Sequence, residues 1–383
     1  MQVVTVGRSL ASSASAAADA SPADAAAARV ASLDAFRGFL IFWMLLANHI
    51  VWSPSIPVQL RHAPWGAGVT LTDVVFPWFL FVMGVAIPLS AARSRQAAGG
   101  LPPVLRILRR SFLLVVLGLV VYTSVYGRLY LGLGILQVLG LTYLVAATTA
   151  RLPVGGRAAL CAALVLGHWA LLKFAPVPGV GSGVLEPGRN ILHYLNTTYF
   201  QRYHLAGLAS LVPTSAIVIA GTLAGEVFAR ATLPAVRRIG WLVGGGVALT
   251  LAGWLWQLEM PFNRALWTPS LVLWVIGTGA LAVGVLYGLL DVRGWRAVAL
   301  PLVVLGSNAI LVYMGAILFR VYVVQRLRLP VGSEGPTLHE AVLGWLVKEM
   351  GALHGAWAYA SAVVAFWWLV LFVLYRRRIF LRL

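Results

Sequence analysis

Most of the side chains able to do chemistry lie in two short stretches near the start of the chain. SLDAFRGFLIFWMLLANHIVW opens with Asp34 and Arg37 and closes with Asn48 and His49. RHAPWGAGVTLTDVVFPWFLFVMG then brings His62, Trp65 and Asp73, with Pro77 inside the apolar run that follows. Polar groups at membrane depth are expensive, which makes each of these a candidate for function. Histidine can act as a general base or accept an acyl group as a nucleophile. Asparagine offers both donors and an acceptor to a buried partner. Asp34 and Arg37, three apart, share a helical face and can pair at the cytoplasmic boundary, where an orientation anchor explains them as well as an active-site role does. Asp73 can likewise be a plain cap after Thr72, and a lone loop histidine is more often without a catalytic role than with one. Pro77 is expected to kink its helix and free a backbone carbonyl, which favours a pocket beside the acid and the histidine. Taken alone, these residues support a membrane-embedded site and leave its reaction open.

Such side chains need a scaffold, and composition says which kind. The 383 residues are 60% hydrophobic and only 10% charged, too much apolar surface for a water-soluble core. The expected fold is all-α, a polytopic integral membrane helical bundle of about ten transmembrane helices. A bilayer core of roughly 30 Å takes about 20 residues of helix. On that basis spans are predicted at 36–52, 72–92, 107–126, 131–150, 158–174, 207–228, 239–257, 266–290, 299–323 and 357–376. The first and fifth are short, and 299–323 has a break point at Gly306. Residues 1–30 read as a disordered Ala/Ser-rich cytoplasmic tail, not a cleaved signal peptide, leaving 31–383 as the transmembrane domain.

Placing both termini in the cytoplasm puts 19 of the 29 Lys and Arg residues on inner segments, in keeping with the positive-inside rule. The expected location is the inner (plasma) membrane of a bacterium. A net charge of +18 could suggest nucleic acid, but the basic residues flank apolar runs in short clusters. Membrane lipid, with no nucleic acid, is therefore the expected partner. Cys161, the single cysteine, allows neither a disulfide nor a thiolate metal cluster. G-x-S-x-G, H-E-x-x-H and Walker sequences do not occur, so serine hydrolase, zincin and ATPase readings have no foothold. The long outer loops 174–206 and 324–356 are suited to recognition, and LHEAVLGWLVKEM in the second could lie along the interface. Gly132 and Gly134, and the pairs Gly221/Gly225 and Gly240/Gly244, read as close helix packing.

Taken in order, RVASLDAFRGFLIF, the Asn48 region, HAPWGAGVTLTDVVFPWFLFVMGVAI, GILQVLGLTYLVAA, NRALWTPSLVL and GSNAILVYMG resemble the heparan-alpha-glucosaminide N-acetyltransferase family. The likeness is dense over 29–92 and sparse behind. It implies a transmembrane acyltransferase that passes acetyl from cytoplasmic acetyl-CoA, its donor substrate, to a sugar or amino-sugar acceptor on the outer face, with no metal. It implies that His62 is the catalytic histidine and Asn48 its companion, and it places Asp73, Trp65, Trp267 and Asn308 at motif positions. The candidate catalytic set is thus His62, Asn48 and Asp73, and the candidate substrate- or cofactor-binding set is Arg37, Trp65, Trp267 and Asn308. In this reading His62 deprotonates the acceptor or briefly holds the acetyl group, while Asn48 bonds the carbonyl oxygen. Arg106, Arg109 and Arg110 can meet CoA phosphates or serve only as positive-inside residues.

The chain departs from the family pattern at Gln137-Val138, where relatives carry Gln-Arg, and at HLAGLASLVP, which lacks the acidic Asp-Pro-Glu type of sequence. The acceptor is therefore open between cell-wall sugar, exported glycan and free amino sugar, and a homodimer is compatible with the sequence. A rival reading is a multi-span transporter or flippase of a sugar-linked substrate, with Asp34, Asp73 and Glu226 as a proton path. Against it stands the lack of the internal repeat that many carriers show.

Overall fold

The computed structural model describes residues 30–50, 55–96, 102–230, 232–331 and 334–381. The predicted tail lies outside them but for Val30. Helices and their connections make up the described residues, with isolated bridges at Val177 with Gly181 and Arg328 with Thr337. The main helices are α1 (Ala31–His49), α2 (Leu71–Gln96), α3 (Pro103–Tyr126), α4 (Ile135–Thr149), α5 (Val154–Phe174), α6 (Leu211–Ala229), α7 (Ala235–Trp256), α8 (Pro269–Leu286), α9 (Leu300–Ser307), α10 (Ala309–Phe319) and α11 (Leu338–Arg376).

Each predicted span falls on one of these helices or on a pair of them. Among the described residues, seven helices are long and apolar enough to cross a membrane, and α9 with α10 is an apolar pair bent by 73°, the form of a broken span or a re-entrant loop. The chain is an integral membrane protein of the all-α class. The other two predicted spans fall on helices outside these, α3, whose first two turns carry Arg106, Arg109 and Arg110, and α4, 15 residues long with Gly134 at its N-cap. The break in this bent pair falls at Asn308, two residues beyond the glycine expected to open it. Pro77 and Pro88 leave α2 one continuous helix. The amphipathic segment is helical too. A capping box between Thr337 and Glu340 starts it, and Gly351, at φ 80°, turns it into the final span.

Burial sorts the helices into an inner and an outer set. About two-thirds of the α2 span is buried inside the protein, with α1, α6 and α8 close behind, whereas α5 and α7 bury 17%. The outer helices present Trp241, Leu251, Trp254 and Leu166, apolar side chains whose solvent is lipid. Small residues set the inner crossings. A Cβ on Gly84 would strike the Val218 carbonyl, and one on Gly221 or Gly225 the carbonyls of Phe81 or Val85, so α2 and α6 meet backbone to backbone. Gly38 of α1 and Gly306 of α9 do the same against Leu302 and Asp34. The expectation for Gly240/Gly244 fails, because both face open space. Further along α7, Gly246 and Gly253 instead make the contact with α8.

Candidate active site

The first loop is held on the bundle before it presents any chemistry. The Trp43 indole of α1 donates to Thr72 Oγ1 (3.1 Å), whose hydroxyl donates to the Gln59 carbonyl (2.8 Å). The Gln59 side chain in turn accepts from the Leu71 N–H at 2.7 Å. Thr70 Oγ1 donates to the Arg61 carbonyl at 2.6 Å, fixing the residue that precedes His62.

On this platform Asp73, 2% exposed, organises the site. Its Oδ2 accepts from the backbone N–H of Ala63 and of Thr70, each at 3.0 Å. Its Oδ1 lies 2.7 Å from His62 Nδ1 and forms an ion pair with Arg264 Nε at 2.9 Å. A carboxylate in this setting only accepts, so Nδ1 of His62 carries a proton, and in the neutral ring Nε2 is the nitrogen left without one. Nε2 has no partner among the described residues, and the His62 side chain is more than half exposed. Asp73 is thus both a helix-start acceptor for Thr70 and the group that orients the histidine, so the two readings of this residue hold together. Pro77, four residues on, has no N–H to give the Asp73 carbonyl.

A cavity of about 1130 Å³ runs through the bundle past these groups. At one end Asn48, His62, Asp73, Arg264 and Trp267 line it, and at the other Asp34, Arg37, Arg110 and Asn308 do. Asn48 is exposed, and its side-chain amide has no hydrogen-bond partner among the described residues. Its carbonyl accepts from Arg320 at 3.3 Å. No hydrogen bond joins Asn48 to His62 among the described residues, and the cavity is what brings them together. Asp34 and Arg37 form the predicted i, i+3 pair, at 3.3 Å. Of the three α3 arginines only Arg110 reaches the cavity. Its guanidinium lies 4.6 Å from the Tyr143 ring centroid, and its buried Nε has no hydrogen-bond partner.

Two candidates sit differently. Trp65 does not line the cavity. Its indole donates to the Leu185 carbonyl at 2.9 Å and ties the first loop to the 174–206 loop. Asn308 reaches the cavity from the break between α9 and α10, where its amide brackets the chain end, donating to the Ile379 carbonyl (3.0 Å) and accepting from the Leu381 N–H (2.8 Å). Glu226, the third acid of the rival proton path, lies off the cavity in a pair with buried Arg157 at 2.9 Å.

Arg264 is the residue that sequence reasoning missed. It stands in NRALWTPSLVL, one of the family-like stretches, but nothing local ties its charge to Asp73. The loop that carries it is stiff. Buried Asn263 accepts from the N–H groups of Ala265 (2.9 Å) and Leu266 (3.2 Å), Thr268 Oγ1 accepts from the Asn263 N–H (3.0 Å), and His168 of α5 contacts the Leu266 carbonyl (2.9 Å). At its start Lys173 donates to Glu259 and holds that exposed carboxyl below the usual carboxylate range. Trp267 occupies a left-handed conformation (φ 52°) that non-glycine residues rarely adopt, and its ring meets Phe76 edge-on at 6.0 Å.

The family model for the catalytic region of heparan-alpha-glucosaminide N-acetyltransferase matches residues 29–246, more than half of the chain. The chain belongs to this family. Its similarity extends to the human heparan-alpha-glucosaminide N-acetyltransferase, 28% identical over 92% of this chain and 59% of the human protein. The mouse protein of the same name is 26% identical over 75% of this chain and 53% of its own length. The chain thus spans a little over half the length of the curated relatives it matches. The family match takes in α1, the His62 loop and α2, whereas Arg264, Trp267 and Asn308 lie beyond it.

Proposed function

We propose that this protein is a membrane acetyltransferase that takes acetyl from acetyl-CoA at the Arg37 end of the cavity and passes it to a sugar or amino sugar at the His62 end. The observation that carries this reading is the single cavity that joins a basic end to an imidazole oriented by Asp73. Along α1, Asp34 and Asn48 stand 14 residues apart. At 1.5 Å per residue that is about 20 Å of helix, most of a bilayer core. A donor that bridges it must carry its reactive carbon on a long flexible arm with an anionic head, which is the shape of an acyl-CoA. Arg37 and Arg110 suit the head, and Arg110 has a buried Nε still lacking an acceptor.

At the His62 end, Nε2 takes the proton from the acceptor amine or hydroxyl as that group attacks the thioester carbonyl. Asp73 keeps the ring in the productive tautomer and steadies the imidazolium that forms. The Asn48 amide donates to the carbonyl oxygen as charge builds there. Collapse expels the thiolate, which recovers the proton from His62. The clustering of basic residues favours the Arg37 end as cytoplasmic and the inner membrane of a bacterium as the location.

The test is transfer of radiolabelled acetyl from acetyl-CoA by purified protein. Wild type is expected to transfer and His62→Ala to fall to background, and an unchanged rate in the variant overturns the role of His62. Stabilisation of the protein against heat by CoA separates this reading from a sugar carrier, which has no reason to bind it. Acetyl trapped on wild-type protein without acceptor would redirect the mechanism to an acetyl-histidine.

A further inference from the structure

We propose that Arg264 is a catalytic residue, a second donor that holds the acyl carbonyl oxygen opposite the base; the proposal rests on the acetyltransferase reading above. Arginine usually meets a carboxylate through two nitrogens of its planar fork. Here only Nε is used, 2.9 Å from Asp73 Oδ1, the same oxygen that lies 2.7 Å from His62 Nδ1. Among the described residues the two terminal nitrogens have no partner, although the side chain lines the cavity and is 45% exposed. The ion pair with Asp73 is made through Nε alone, and the four terminal N–H bonds have no partner among the described residues, on the residue whose Nε sits against the same oxygen as the base.

The loop makes this arrangement useful. Asn263, Thr268 and the contact of His168 with Leu266 hold the loop that carries Arg264 through bonds that need no ligand, so the donors are in place before substrate arrives. A charged donor fixed in advance stabilises developing charge without reorganising at the moment of reaction. In the step itself, the acceptor lone pair forms the new bond to the carbonyl carbon and the carbonyl π electrons move onto oxygen, while His62 Nε2 takes the acceptor proton. Arg264, with Asn48, donates to that oxygen. The C=O bond then reforms, the C–S bond breaks, and the thiolate leaves with the proton returned by His62. The cavity thus offers one open base and two open donors, which matches what a tetrahedral intermediate presents.

The test uses binding, so it does not depend on turnover. Full-length purified protein is titrated with two unreactive CoA analogues, a ketone with a methylene in place of the thioester sulfur and the matched alkyl compound with a methylene in place of the carbonyl. Wild type is expected to prefer the ketone. Arg264→Gln is expected to weaken ketone binding about tenfold and leave alkyl binding unchanged. Arg264→Lys, shorter by one atom and without a fork, is expected to lose part of the preference. If the Gln variant keeps the full preference, or wild type binds both analogues equally, Arg264 is not a carbonyl donor. Should the Gln variant not be recovered from membranes, the Lys variant decides, and wild-type preference there overturns the assignment. If wild type binds neither analogue, the acetyl-CoA reading itself fails and takes this inference with it.

Discussion

Nδ1 of His62 lies 2.7 Å from Oδ1 of Asp73, and this one contact decides which imidazole nitrogen is left open. Asp73→Asn retains shape but replaces an anion by an amide that can present N–H to the ring and favour the wrong tautomer. In Ser-His-Asp enzymes the equivalent change lowers kcat by on the order of 10⁴-fold. A loss of at least about 10²-fold is expected here, with little change in the KM for acetyl-CoA, and steady-state kinetics on the purified variant measures it.

Asn48 differs from Asp73 in having no protein partner for its side chain among the described residues, so its removal should disturb the transition state more than the fold. Asn48→Ala is expected to lower kcat about 10²- to 10³-fold, the range found when one oxyanion donor is removed. Its melting temperature in detergent should match wild type. A variant that melts early and retains kcat per folded molecule would assign Asn48 to structure instead.

Asn263 carries the opposite prediction. Its buried side chain accepts two N–H groups of the loop that holds Arg264 and Trp267. Asn263→Ala leaves those groups without acceptors, at a cost of about 1–3 kcal/mol for each left buried and unpaired. Thermal melting should fall, and activity with it, because Arg264 loses its fixed position. Wild-type stability would show that water or a neighbour satisfies the loop.

Glu226 separates the enzyme reading from the carrier reading. It pairs with Arg157 off the cavity, so Glu226→Gln is expected to leave acetyl transfer per folded molecule unchanged while lowering stability, since Arg157 is 3% exposed. A proton-coupled carrier that used this acid would lose function altogether. Acetyl-transfer assays normalised to monodisperse protein give the answer.

Parts of the site were legible because they are local. The i, i+3 spacing placed Asp34 against Arg37, and the HAPWGAGVTLTD run placed His62 and Asp73 at two ends of one short loop, where closure brings them within bonding distance. The role of Trp65 was not legible, since its indole is satisfied by a carbonyl of residue 185 and nothing near residue 65 announces that partner. Asn308 stands out in its motif, but its bonds to residues 379 and 381 depend on how α9, α10 and residues 379–381 meet. The glycines of α7 make the same point. Gly240 and Gly244 have the Gly-xxx-Gly spacing yet face open space, whereas Gly246 and Gly253, seven apart, meet α8, and only the rotation of the helix about its axis decides which glycines face a neighbour.

The sequence by itself determined the all-α membrane fold, the place of its main helices and the stretch that holds His62, because hydropathy over about 20 residues and side-chain spacing within a turn are properties of the chain alone. Tertiary structure alone decided that one cavity joins Arg37 to His62 and that Arg264 comes to Asp73 from 191 positions further on. Backbone contacts at Gly38, Gly84, Gly221 and Gly306 set how closely the inner helices approach. That approach, which no local pattern encodes, fixes which distant side chains share a carboxylate.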